Sequence, residues 1–406
     1  MIETLKLNGT GKFLLDKTEY DCFVNIDLKE SSVFIYGDFK DMIDEKYKYS
    51  SDIFDFFKTK HLLLKDISLD SNYGEIKGEI KNFFISGIKF KGSNFLSGSI
   101  FAQLLHIEPN NNYDQLKITP RFSKISFAVE KSEKIYNELW FKVPSKSMSF
   151  REDVIISDNK KLHFFSDNDI VILKCWDWEI TDIEIDKVRS ALSFVIGTEV
   201  VNIYGYRNGN IDINNITKDI EKKCGLFPFN FKGTALNFFL KYVYDIEQHE
   251  YEKFENTLYL YLSAKSASLS MNSLFVLLFT CIESMFKNEP DMALEAKILK
   301  LFNLNNPKEY DPSKNTISLS IKNDLCHALS KIRNMIIHEG IAADKIYSRV
   351  EADAIFTSIV SKCDNNCFEL WFYLISLLDK YYLNKIQYSG EYIDIGNDFS
   401  NEKTIR

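Results

Sequence analysis

Arginine and histidine are scarce in this chain: seven arginines (Arg121, Arg151, Arg189, Arg207, Arg333, Arg349, Arg406) and six histidines stand among 406 residues. With a formal net charge of -8, the sequence excludes a protein coated with basic surface for indiscriminate nucleic-acid binding and leaves only a confined basic cleft for that purpose. Long apolar runs are missing as well. The most apolar stretch, 274–282, falls far short of the roughly 20 residues that span a bilayer, and positions 1–15 carry no basic region followed by an apolar run. The expectation is a soluble, cytoplasmic protein. Seven cysteines (Cys22, Cys175, Cys224, Cys281, Cys326, Cys363, Cys367) are odd in number and scattered, which speaks for reduced thiols packed as small hydrophobes rather than a disulfide framework. Cys363 and Cys367 fit one helical face, but two soft ligands without a second pair make a poor zinc site. No metal and no cofactor is expected. Gly9-Thr10-Gly11-Lys12 lacks the spacing of a phosphate-binding loop, and neither a G-x-S-x-G elbow nor an H-E-x-x-H helix is present. There is no internal repeat and no low-complexity tract.

What is there divides into two periodicities. The length implies two or three domains at about 150 residues each, and 45% hydrophobic with 14% aromatic residues suffices to fill their cores; the abundant Phe and Tyr read as core. Over 13–165 the period is two. Val24, Ile26 and Leu28 alternate with Asn25 and Asp27, and apolar runs follow at 33–36, 62–69, 76–90 and 125–129, separated by Gly, Asn, Asp and Ser clusters. These predict antiparallel strands forming a sandwich or an open barrel-like sheet. At 170–178 a further strand is expected, then a helix near 183–196 carrying Ile185, Val188, Leu192 and Val195 and stopping at Gly197, then a Gly/Asn-rich turn at 205–210. Beyond the punctuated segment 222–233 the period becomes helical. Helices are predicted at 234–248, 252–264, 268–287, 291–302, 318–338, 344–361 and 366–383. Asp291 is an expected N-cap, Gly340 an expected left-handed C-terminal residue, and 303–315 a surface loop. The fold class is therefore α+β: a β-rich, sandwich-like N-terminal module at 1–222, an all-α module at 223–388, and a polar tail at 389–406 with the composition of a loosely held terminus.

The residues that carry chemistry lie near the end of the helix predicted at 318–338. Its apolar stripe is Leu325, Leu329, Ile332 and Ile336. Asn334 and His338, four apart, project together from another face. Arg333 stands at the edge of the stripe with a side chain long enough to swing toward them. Three turns back, His327 falls at the same angle as His338, with Lys331 between. An Arg five positions before a His is expected by chance in roughly one chain in ten of this make-up. A cation, an amide and an imidazole at one helix end suit metal-free RNA cleavage. The 2′-hydroxyl attacks the adjacent phosphate while one group removes its proton, another protonates the leaving 5′-oxygen, and a cation stabilises the phosphoryl charge. Arginine is permanently charged and forks onto phosphate; histidine titrates near neutrality. One histidine does not readily serve both proton transfers, so two copies facing across a two-fold axis would complete the site. A buried arginine paired with Glu283 and a helix-terminal histidine favoured by the helix dipole, both purely structural, would give the same residue pattern.

The hexad Arg333-Asn334-Met335-Ile336-Ile337-His338 resembles the R-x4-6-H signature of HEPN ribonucleases, and its context is similar to the ApeA-like anti-phage branch. That branch carries an earlier helix ending in a Leu/Ile-Glu-x-Leu/Met-Phe element, matched here by Ile282-Glu283-Ser284-Met285-Phe286, and Glu295-Ala296-Lys297-Ile298 is similar in character to the helix that follows. One departure is Leu329-Ser330-Lys331, where an aromatic residue often precedes the Arg. The resemblance implies a β-rich N-terminal half acting as sensor or autoinhibitor, followed by a HEPN-like helical bundle. It further implies a homodimeric, metal-independent endoribonuclease of bacterial abortive infection. Such an enzyme cleaves RNA, tRNA as the expected target, to 2′,3′-cyclic phosphate ends when an infection cue, a phage protein for example, releases it. Arg333 and His338 would be the catalytic pair, Asn334 a supporting polar group and Glu283 an acidic partner orienting Arg333 or His338. Lys331 and His327 are further RNA-contact positions. The alternative is a catalytically inactive HEPN-type module that binds RNA, nucleotide or protein and uses the hexad at a dimer interface.

Overall fold

The computed structural model describes residues 6–27, 32–37, 62–71, 74–81, 84–90, 116–121, 124–129, 135–144, 151–167, 169–207, 209–214, 226–227, 231–265, 269–304, 319–346, 353–360, 368–393 and 402–405. Cys224, Cys363, Cys367 and Leu28 lie outside them, as do the division at 222/223 and all of the loop expected at 303–315 except 303 and 304, which are helical. The alternating runs are strands: β1 Lys6–Leu15, β2 Thr18–Asp27, β3 Ser32–Gly37, β4 Leu62–Ser71, β5 Gly74–Lys81, β6 Phe84–Phe90, β7 Leu116–Arg121 and β8 Lys124–Val129. The series continues with β9 Tyr136–Lys142, β10 Arg151–Ser157, β11 Lys160–Asp167, β12 Ile170–Trp176, β13 Val201–Arg207 and β14 Asn210–Asn214. All their pairings are antiparallel, and they join in one hydrogen-bonded sheet of 14 strands in the order β10-β11-β12-β9-β13-β14-β8-β5-β4-β1-β2-β3-β7-β6. Gly9-Thr10-Gly11-Lys12 lies within β1, and Gly205 lies within β13 rather than in a turn; the reversal between β13 and β14 falls at Gly209, whose φ is 91°. A Cβ at Gly205 would come within 3.1 Å of Leu139 on the neighbouring strand, so close strand approach explains the glycine there.

Helix α1, Asp182–Ile196, separates β12 from β13. Thr181 caps it: the Thr181 hydroxyl accepts from the Glu184 amide at 3.3 Å, the Glu184 carboxylate accepts from the Thr181 amide at 2.9 Å, and Gly197 ends it at φ 83°. After it come α2 Lys232–Asp245, α3 Gln248–Ala264, α4 Met271–Met285, α5 Leu294–Leu304, α6 Leu319–Ile337, α7 Ala343–Ile346, α8 Ala354–Val360 and α9 Phe368–Lys385. None of the described helices is long and apolar enough to cross a membrane. The fold is α+β.

Helix limits differ from the expectation by up to four residues, α3 starting at Gln248 rather than at 252, and two of the differences have a clear local cause. Asp291 is not an N-cap: α5 starts three residues later, because Glu289 and Met292 donate their amides to the Phe286 and Glu289 carbonyls and hold 286–292 in turns. The helix expected over 344–361 is two, α7 and α8, and Asp353 begins the second by accepting the Phe356 amide on its carboxylate at 3.0 Å. Polarity alone implies a loose C-terminal tail. Instead β15 Gly390–Ile393 pairs with β16 Glu402–Ile405, Tyr392 is buried, and the Ile393 amide donates to the Leu226 carbonyl at 2.8 Å.

One face of β9–β12 (Leu139, Phe141, Val154, Leu162, Phe164, Leu173, Cys175) and the inner side of α1 (Val188, Leu192, Val195) belong to the same buried cluster as the helices through α9. The core thus runs across 222/223. Burial pushes the thiols of Cys175 and Cys281 up to about 12, so they pack as hydrophobes. A continuous core of this kind has a measurable consequence. Leu192→Ala is expected to cost about 2–5 kcal/mol and to move the urea midpoints of helix circular dichroism and tryptophan fluorescence together; separated midpoints would mean two independent folding units.

Candidate active site

Two helices build the site. In α6 the residues Leu325, Cys326, Ala328, Leu329, Ile332, Met335 and Ile336 are buried, the i, i+3, i+4, i+7 set that presses one side of a helix onto a core. The remaining positions, among them Asn334, must face outward, and Asn334 and His338 are exposed. Helix α4 buries Leu274, Phe275, Leu278, Phe279, Cys281 and Ile282 against the same core, which turns Glu283 to its polar side next to the end of α6. The end of α6 is closed by the His338 amide on the Asn334 carbonyl at 2.8 Å and by Gly340, whose φ of 65° is the left-handed value expected from the sequence. Beyond it the Ile341 amide reaches the Met335 carbonyl at 3.0 Å. Asn272, in the first turn of α4, accepts the Ala343 amide at 2.7 Å and donates to the Ile341 carbonyl at 3.4 Å. The ends of α4 therefore hold both the loop after the hexad and, through Glu283, the hexad itself.

Arg333 is the centre of the arrangement. Its Nη1 donates to Nε2 of His338 at 2.7 Å and to Oδ1 of Asn334 at 3.2 Å, and its Nη2 donates to Oε1 of Glu283 at 3.0 Å. The structure thus brings together all four residues singled out around the hexad, with the arginine swung toward the Asn/His side. A guanidinium has no acceptor, so Nε2 of His338 is the accepting, unprotonated nitrogen and the proton of the neutral ring is on Nδ1. The ion pair is half-exposed, with side chains 23% and 38% accessible, and pairs of that kind contribute only about 0.2–1 kcal/mol. Its value is geometric. The pair and the hydrogen bonds hold a cation against an imidazole at the solvent-facing end of a helix, beside Ile337, an isoleucine left 42% exposed.

Lys331 and His327 share the angular face of His338 but stand in a second cluster. Nε2 of His327 is 2.7 Å and Nζ of Lys331 3.2 Å from Oδ2 of Asp353, while Nδ1 of His327 is 3.4 Å from Glu295. The Lys331 ammonium also sits over the Phe356 ring at 5.0 Å. These contacts clip α5 and the start of α8 onto α6. The hydrogen bond with Asp353 raises the His327 pKa, with Glu295 adding to it. The Phe356 amide and then His327 hold the Asp353 carboxyl well below the usual carboxylate range. Sequence reasoning missed Asp353 and Asn272. An Asp two residues before the apolar pair Ile355-Phe356 inside a long helical pattern was a legible N-cap signal for the former; Asn272 carried no local signal, because its partners are about seventy positions away. Among the described residues no three His, Cys, Asp or Glu side chains group as metal ligands.

The clip titrates in a defined window. A histidine raised on folding stabilises below its ordinary value of about 6.5 and loses that contribution as pH rises through its folded value; a carboxylate lowered on folding stabilises above about 3.9 and loses it on acidification. The His327–Asp353 contact is therefore at full strength between about pH 4 and pH 6.5. Amide exchange in α8, corrected for intrinsic rates, is expected to report easier opening at pH 9 than at pH 6, and His327→Ala to remove the difference. A profile unchanged by that substitution would assign the clip elsewhere. No protein-family model, no curated protein and no solved structure matches this chain.

Proposed function

We propose that this chain is a HEPN-type, metal-independent endoribonuclease of bacterial anti-phage defence, cytoplasmic and active as a homodimer, with RNA as substrate and tRNA as the expected target. The observation that carries the reading is the 2.7 Å contact of Arg333 with Nε2 of His338 at an exposed helix end, backed by Glu283. Nε2 of His338, the unprotonated ring nitrogen, takes the proton of the ribose 2′-hydroxyl as that oxygen attacks phosphorus once Arg333 turns onto the phosphate. Arg333 stabilises the charge that develops on the non-bridging oxygens. The bond to the 5′-oxygen breaks, leaving a 2′,3′-cyclic phosphate and a 5′-hydroxyl. The proton for that 5′-oxygen comes from a second histidine, which a second copy of the chain supplies in an isologous dimer. Ile337, exposed within the hexad, would be covered by such a contact. Asn334 fixes the arginine, and the β-rich module serves as sensor or autoinhibitor, released by an infection cue such as a phage protein.

A second reading is a binding or dimerisation module without catalysis. It is favoured by the engagement of Arg333 with three acceptors of its own chain. The two readings part on one comparison. Expressed in a bacterial host under phage challenge, Arg333→Ala and His338→Ala are each expected to lower RNA cleavage by about 10²–10⁴-fold and to abolish protection. Protection equal to that of the parent chain in both variants would favour the binding module.

A further inference from the structure

We propose that Glu283 occupies the place of a substrate phosphate on Arg333, and that phosphate binding both displaces this carboxylate and uncovers the base nitrogen of His338. The inference rests on the ribonuclease reading above and adds a control residue to it. In the chain by itself, the groups needed for catalysis are engaged with one another. Nη1 of Arg333 is spent on Asn334 and His338, Nη2 faces Glu283, and Nε is buried without an acceptor among the described residues. The lone pair of His338 that would take a 2′-hydroxyl proton is therefore covered by an N–H of Arg333.

The geometry of the Glu283 contact shows why it can yield. One carboxylate oxygen meets one guanidinium nitrogen, end-on. A guanidinium binds carboxylate or phosphate best through two parallel N–H bonds, and the end-on arrangement leaves part of that capacity unused. Both partners are accessible, so the pair is weak and exchangeable rather than sealed. A phosphodiester brings a charge in the same position as the carboxylate and enough oxygens for two parallel bonds. Once the guanidinium turns onto it, Nη1 leaves Nε2 of His338. A single binding event then recruits the cation and frees the base, and a chain without a phosphate in place has neither. Glu283 is a positioning residue here, acting through Arg333. It differs from a simple orienter in sign, since it competes with the ligand.

The test is binding, chosen so that it does not depend on cleavage. The probes are inorganic phosphate and a 2′-O-methyl oligoribonucleotide, which cannot undergo 2′-hydroxyl attack. Each is titrated into the full chain and into Glu283→Gln, Glu283→Ala and Arg333→Ala, after circular dichroism shows the same fold. Imidazole nitrogen resonances of His338 are followed in parallel. Removal of the competing carboxylate is expected to tighten both probes by about twofold to fivefold, the size set by an exposed ion pair. Arg333→Ala is expected to lose binding, and phosphate to shift the His338 Nε2 signal of the parent chain toward that of Arg333→Ala. Equal or weaker binding in both Glu283 variants, or a His338 signal unmoved by phosphate, overturns the proposal and returns Glu283 to an orienting role. That outcome leaves the ribonuclease reading standing if Arg333 and His338 remain required for cleavage. Tighter binding in the Glu283 variants with no His338-dependent cleavage would do the reverse, keeping the displaced carboxylate and removing the enzyme.

Discussion

Burial of one stripe of α6 decides the rest. Leu325, Leu329, Ile332, Met335 and Ile336 are removed from water against the helices that surround them, and the rotation of the helix about its axis is then no longer free. Asn334 must look outward and His338 must emerge where Gly340 lets the chain leave the helix. A shift of one position in that stripe would turn Arg333 away from Glu283 and His338. The site is therefore as stiff as the core beneath it, although the residues that compose it are partly or fully exposed.

Charge along α6 is arranged by neutralisation within the chain. Near the C-terminal end Glu283 meets Arg333; earlier in the helix Asp353 meets Lys331 and His327, and Glu295 meets His327. A further pair is wholly buried: Lys265 and Asp379, 3.1 Å apart, with the Tyr261 hydroxyl accepting from the lysine at 2.8 Å and donating to the carboxylate. Breaking such a buried pair by removing one partner leaves an uncompensated buried charge. The exposed pairs near the hexad are of another kind. They are accessible to solvent and individually weak.

The helical half was legible because period and punctuation are local. The stripe of α6, the left-handed Gly340, and the swing of Arg333 toward Asn334 and His338 all follow from spacing and side-chain length. Glu283 enters as a partner of the arginine in the purely structural reading and again through the resemblance of Ile282-Glu283-Ser284-Met285-Phe286 to a family element, and the structure has it 3.0 Å from the arginine. What was not legible is nonlocal. The pairing of β5 and β14 with β8, which ties the early strands to the later ones, links positions far apart in sequence. The core passing from β9–β12 into the helices has no signature in composition, because each side reads as an ordinary apolar face. His327 and Lys331 were expected as RNA-contact positions, and only the fold brings Asp353 to them.

Central to this account is a transesterification in which side chains alone move the protons. Its most direct measurement is the chemistry of the RNA ends made by the purified, cue-activated chain with a chelator present. The account predicts 2′,3′-cyclic phosphates and 5′-hydroxyls, at a rate the chelator does not change. Ends bearing 3′-hydroxyl and 5′-phosphate, or cleavage that stops when divalent ions are removed, would contradict it.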